Sequence, residues 1–131
     1  MANRQLTLDV LGDRFAISRL GGEAAVPPWA TAGAFFSITR TRDEVSVVCA
    51  EADVPEGTKS ERGWRCLRVA GPIEFSVVGV LAALAVPLAA AGVSLFAVST
   101  FDTDYLLVKE NDLPAAREAL RRAGHVVRPE S

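Results

Sequence analysis

No charged side chain interrupts the chain between Glu74 and Asp102, and that one stretch, FSVVGVLAALAVPLAAAGVSLFAVSTF, restricts the fold more than any other feature. An apolar run of this length either crosses a bilayer or is buried among other elements of a globular domain. Its details favour burial. Ala dominates it, Gly92 stands close after Pro87 where a helix can end, and acidic residues follow it in place of the Lys and Arg cluster of a cytoplasmic flank. The pattern predicts a helix over residues 76–91 and then a buried strand. The helix is apolar on most sides because a sheet and a neighbour are expected to cover it.

The strand leads into the most polar point of this region. Residues 94–100 and 104–109 alternate or run apolar as strands do, with Phe101-Asp102-Thr103 between them as a short turn, so a hairpin is expected. An isolated ionised carboxylate is costly to bury, so Asp102 and Asp104 must face water, a donor or a ligand. Asp is also common in turns for its side-chain to backbone bonds, which leaves both roles open. A last helix follows. Asp112 is placed to cap it and Pro114 lies in its first turn, while Leu113, Ala116, Leu120 and Ala123 recur on one face. Arg121 and Arg122 complement the helix dipole at its end and Gly124 stops it. Residues 125–127 make a closing strand, with His125 expected at the surface.

Upstream, LTLDVL and RFAISRL flank Gly12-Asp13, which predicts an opening hairpin. Pro27-Pro28-Trp29 leaves room for one helical turn before strands over residues 34–40 and 45–50, and residues 53–63 have the polar, breaker-rich composition of a linker. Residues 64–71 return to a strand. Shifted by sixty positions, FSITRTRDEVSVV lies over FAVSTFDTDYLLV, and one residue of slippage then brings EADVP onto ENDLP. The repeat predicts an α+β protein of tandem ferredoxin-like βαββαβ units with antiparallel sheets, over residues 1–62 and 63–131, the first with reduced helices. Sheets continuing into one another would cover an exposed edge.

Several functions are disfavoured by content alone. A net charge of −2 offers no general attraction for nucleic acid or an anionic membrane. The N-terminus lacks the apolar region of a secretory signal, and Cys49 and Cys66, expected as buried thiols, have no close pairing, so a reducing cytoplasm is expected. His125 is the only histidine and stands in no nucleophile motif, no phosphate-binding loop of the GxxxxGK[ST] type occurs, and no metal or other cofactor is implied. Trp29 and Trp64 are assigned to the core.

Duplicated βαββαβ units without catalytic motifs resemble ACT domains, sensing modules of amino-acid metabolism. The closer similarity is to small bacterial tandem-ACT proteins and to the ACT modules of the CASTOR arginine sensors, and it is carried by GPIEFSVVGVLAALAVPLAAAG and VSLFAVSTFDTDYLLVKENDL. The pattern STF-x-x-D-x-x-LV stands here as Ser99, Thr100, Phe101, Asp104, Leu107 and Val108. The resemblance implies that Asp104 contacts a ligand's amine and that Val77, Val78 and Gly79 offer backbone groups to its carboxylate. Val77 stands where the sensors carry a glutamate for the guanidinium, so an amino acid is implied and arginine is not. Ser76 before an apolar helix is independently a plausible cap, and helix-opening amides suit a carboxylate. The expectation is a non-catalytic amino-acid-binding regulator, with a ligand-free or protein-partner-binding module as the alternative. In the sensors, the resemblance implies, four ACT units in one chain bring two together around the ligand; a homodimer would restore that number here.

Overall fold

The computed structural model describes residues 5–71 and 79–129. Within them the order is β1 (Thr7–Gly21), a 3-10 turn (Pro28–Thr31), β2 (Ser37–Arg40), β3 (Glu44–Ala50), a 3-10 turn (Glu51–Asp53), β4 (Ser60–Val69), α1 (Val80–Ala90), β5 (Phe96–Ser99), β6 (Asp104–Lys109), a 3-10 turn (Glu110–Asp112), α2 (Leu113–Arg122) and β7 (Val126–Arg128). Contacts divide the chain into two compact units. One joins the residues as far as Gly12 to those from Arg65 onward, and the other is Asp13–Trp64. The expected division at residue 62/63 differs from this one by the N-terminal segment.

The discontinuous unit holds both helices. Its strands run in the order β1, β4, β6, β5, with β7 beside β1 in parallel, Thr7 opposite Val126 and Asp9 opposite Arg128. Leu8 and Val10 alternate with half-buried residues along β1 and, with Leu6 just before it, meet Leu67, Val69, Leu106 and Val108 from the neighbouring strands. Leu84 and Leu88 of α1 and Leu113, Ala116 and Leu120 of α2 complete that core. Burying a side chain of the Leu or Val size contributes about 1.5–3 kcal/mol, so this cluster dominates the unit's stability. Both helices stop at a glycine in the left-handed region, Gly92 at φ 77° and Gly124 at φ 97°. Each is followed by the paired bonds that close such an end: Val93 N–H to the Leu88 carbonyl at 2.9 Å, and His125 N–H to the Leu120 carbonyl at 3.0 Å.

The second unit, Asp13–Trp64, carries the remainder of β1 and the opening of β4 with β2 and β3. Phe15 to Gly21 pair antiparallel with Glu44 to Ala50, and β3 pairs in turn with β2. Its core gathers Ala16, Ala30, Val45, Val47, Cys49 and Val54. Trp29 packs against that core half-buried, and Phe15 meets Phe35 edge to face at 5.5 Å. The reduced helices expected here are 3-10 turns, at Pro28–Thr31 and Glu51–Asp53.

Four local expectations are corrected. No hairpin opens the chain, because β1 runs unbroken through Gly12-Asp13, its two ends finding different partners in β7 and β3. The breaker-rich segment is only partly a connection, since β4 already begins at Ser60. Asp112 stands at the start of α2 without a side-chain cap bond, its place being taken by the 3-10 turn that runs into the helix. His125 is 5% exposed rather than superficial.

Candidate functional site

Ser99 and Asp104 close the β5–β6 hairpin as a cross-strand pair. That register puts both side chains on one face. The Ser99 hydroxyl donates to Asp104 Oδ1 at 2.5 Å, which fixes the carboxylate while leaving the second oxygen for another donor. Thr100 clasps the turn: its N–H donates to the Thr103 carbonyl at 2.8 Å and its Oγ1 accepts the Thr103 N–H at 3.2 Å. Phe101 stands out at the tip, 78% exposed.

Thr103 is the residue that sequence reasoning missed. It is 5% exposed and its Oγ1 donates to the Val69 carbonyl at 2.7 Å, tying the turn to the end of β4. The hairpin tip is thereby fixed at the Val69 end of β4. No local pattern in the sequence marks it, since its partner is far away in the chain; in the structure it stands between an exposed Asp102 and a half-buried Asp104.

Gly79 occupies the N-cap of α1 at φ 83°, ψ 2°, a conformation that glycine adopts without strain. Its carbonyl accepts the Ala83 N–H at 2.8 Å, and among the described residues no side chain caps the helix. The N–H groups of Val80, Leu81 and Ala82 therefore have no acceptor inside the helix, which leaves a positive end suited to a carboxylate. A Cβ built on Gly79 would meet nothing within 4 Å among the described residues. The helix expected over residues 76–91 begins at Val80, so Gly79 holds the capping position assigned to Ser76. Ser76, Val77 and Val78 lie outside the described residues. The structure thus joins Ser99, Thr100 and Asp104 within one hairpin and places Gly79 on a different element.

Other chemically active side chains are quiet. Cys49 and Cys66 are free and buried, and burial pushes the Cys66 thiol up to about 12. Among the described residues no group of three or more His, Cys, Asp and Glu could hold a metal ion. Among them, too, no helix is long and apolar enough to cross a membrane.

Comparison with known proteins places this geometry. A model of the ACT domain matches residues 59–122, from β4 to the end of α2. A bovine protein, "Cytosolic arginine sensor for mTORC1 subunit 1", is 34% identical over 103 residues. The chain contains an ACT domain. The match with the bovine sensor covers 72% of this ACT-domain chain but 31% of the sensor, so the chain spans about a third of the curated relative. A solved Agobacterium tumefaciens protein is similar throughout, with a TM-score of 0.93 and 39% identity over 98% of this chain and 96% of that one. The regulatory subunit of aspartate kinase from Thermus thermophilus shares the fold, with a TM-score of 0.62 and 13% identity over 94% and 99% of the two chains. A separate N-terminal-domain model matches residues 13–57, most of the second compact unit.

Proposed function

We propose that this ACT-domain protein is a non-catalytic, cytoplasmic amino-acid sensor. In this reading the ligand's carboxylate is held at the opening of α1, by Ser76, Val77, Val78 and Gly79, and its ammonium group by Asp104, beside Ser99, Thr100 and Phe101. The observation that carries it is the Asp104 carboxylate, oriented by Ser99 on a turn that Thr103 ties to the end of β4. An amino acid needs two anchors of opposite charge, and a helix N-terminus together with a fixed carboxylate supplies both. The names of the bovine sensor and the aspartate kinase subunit agree with a regulatory role.

The same proposal includes a tandem origin for residues 1–62 and 63–131. Its support is a shared turn. Thr41 N–H reaches the Glu44 carbonyl at 2.8 Å while its hydroxyl takes the Glu44 N–H at 3.2 Å, much as Thr100 clasps Thr103. Both following strands run into a 3-10 turn of the form Glu-x-Asp, at Glu51–Asp53 and Glu110–Asp112, and then into an apolar residue and a proline.

A thermal-shift screen against the twenty amino acids tests the function. A ligand present at a hundred times its dissociation constant stabilises the folded state by about 2.7 kcal/mol, a shift of several degrees. If no amino acid moves the transition, the reading gives way to a ligand-free module that binds a protein partner.

A further inference from the structure

The last turn of α2 delivers a buried imidazole to α1. His125 follows Gly124, and its backbone N–H is held by the Leu120 carbonyl, which fixes its backbone at the helix end. The Leu6 N–H donates to His125 Nδ1 at 3.1 Å. An accepting Nδ1 puts the ring proton on Nε2, which lies 3.1 Å from the Ala83 carbonyl and donates to it.

That carbonyl has a particular need of a donor. In a helix Ala83 would accept from the N–H four residues on, and that residue is Pro87, which has none. The imidazole supplies from outside the helix the bond that the proline removes from within it. Ala83 is also the residue whose N–H bonds to Gly79, so its peptide groups connect the helix opening to His125. Every side chain from Val80 to Ala90 is apolar, and among the described residues none caps the N-terminus. Packing of Val80, Leu84 and Leu88 selects the buried face but tolerates small slides, whereas a hydrogen bond is directional.

We infer that Pro87 and His125 work as a pair that positions the first turn of α1, and with it the amides assigned to the ligand carboxylate. The consequence for binding rests on the amino-acid-sensor reading; the pairing does not. His125 is a positioning residue, since it meets the helix and not the ligand.

Two variants divide its bonds. In His125→Gln the amide nitrogen can still reach the Ala83 carbonyl, while in His125→Asn the oxygen can still accept from Leu6 but Ala83 is left bare. Pro87→Ala restores an N–H to Ala83 from within the helix. Amide hydrogen exchange on the full chain should show the Ala83 and Leu84 amides, the first in α1 to have acceptors within the helix, exchanging about tenfold faster in His125→Asn, with α2 unchanged, as loss of one local bond predicts. His125→Gln should retain protection, and Pro87→Ala added to His125→Asn should return it. Equal loss in both His125 variants, loss spread evenly over the unit, or no rescue by Pro87→Ala overturns the pairing. The thermal-shift screen, run with the same amino acids, reads the consequence. Weaker binding in His125→Asn, regained with Pro87→Ala, supports it, and unchanged affinity overturns it. If none of the twenty binds even the unaltered protein, the sensor reading falls while the exchange data still decide the pairing.

Discussion

Asp104 and Asp102 stand two residues apart on one hairpin and differ in their surroundings: Asp104 is half-buried with a bond from Ser99, and Asp102 is exposed. Asp104→Asn should keep the fold and weaken amino-acid binding by about 2 kcal/mol or more, because it removes a charge-assisted bond. Asp102→Asn is the matched control, and calorimetric titration should show a smaller effect. Equal affinities for the Asp104 variant and the parent would take Asp104 out of the site. Residue environments also set the pH limits of stability. The bond from Arg128, assisted by the charges of Arg128 and Arg68 and opposed by desolvation, holds the Asp9 carboxyl below its ordinary 3.8. Its contribution is present above about that value and is lost as pH falls through the lower folded value. Cys66 is the reverse case. Burial raises it from 9.0 to about 12, so its contribution is complete below 9.0 and fades as pH rises toward 12. Urea unfolding across pH should show a plateau with two falling limbs. Asp9→Asn should flatten the acid limb and Cys66→Ala the alkaline one; limbs unaltered in these variants would assign them to other groups.

At the scale of elements, the β5–β6 turn depends on one buried bond. Thr103→Val keeps the shape but leaves the Val69 carbonyl without its donor, and should cost about 1–3 kcal/mol in chemical unfolding, while Thr103→Ser keeps most of the stability. A neutral Thr103→Val would mean that the turn is held by Thr100 alone. This bond is not legible in the sequence because it joins residues far apart in the chain, whereas the turn itself was legible from its local composition. The same division holds elsewhere. The face of α2 was readable from period alone, and Leu113, Ala116 and Leu120 are buried as that period requires. The start of α1 was not, because a helix apolar on every side has no phase to mark its first residue. Gly12-Asp13 misled for a related reason: a turn-forming pair does not turn when both flanking segments have strand partners waiting, here β7 and β3. Within the hairpin, Ser99, Thr100 and Asp104 were singled out on a resemblance and a hairpin pattern, and Thr103 was passed over as a turn residue although its hydroxyl docks the turn. Histidine at position 125 was read as superficial for want of a visible partner, since neither Leu6 nor Ala83 can be matched to it by spacing.

For the whole molecule, the open question is how many copies act together. The discontinuous unit carries a helix whose exposed side is as apolar as its buried one, with Val86 66% and Leu81 38% exposed, and no charge from Val80 to Ala90 to keep it in water. Exposed apolar surface of that kind commonly marks an interface, and two-fold symmetry would use the same helix from both copies. We expect a homodimer, with the α1 opening of one copy near the Ser99–Asp104 hairpin of its mate. Light scattering at micromolar concentration should then give twice the 13.9 kDa of one chain. Leu81→Glu combined with Val86→Glu should halve that mass with an unchanged circular dichroism spectrum, because two like charges would meet their symmetry mates across a desolvated contact. A doubled mass that survives both charges would move the interface off α1. A mass of one chain in the parent protein, with the best-binding amino acid present, would leave each chain to complete its own site.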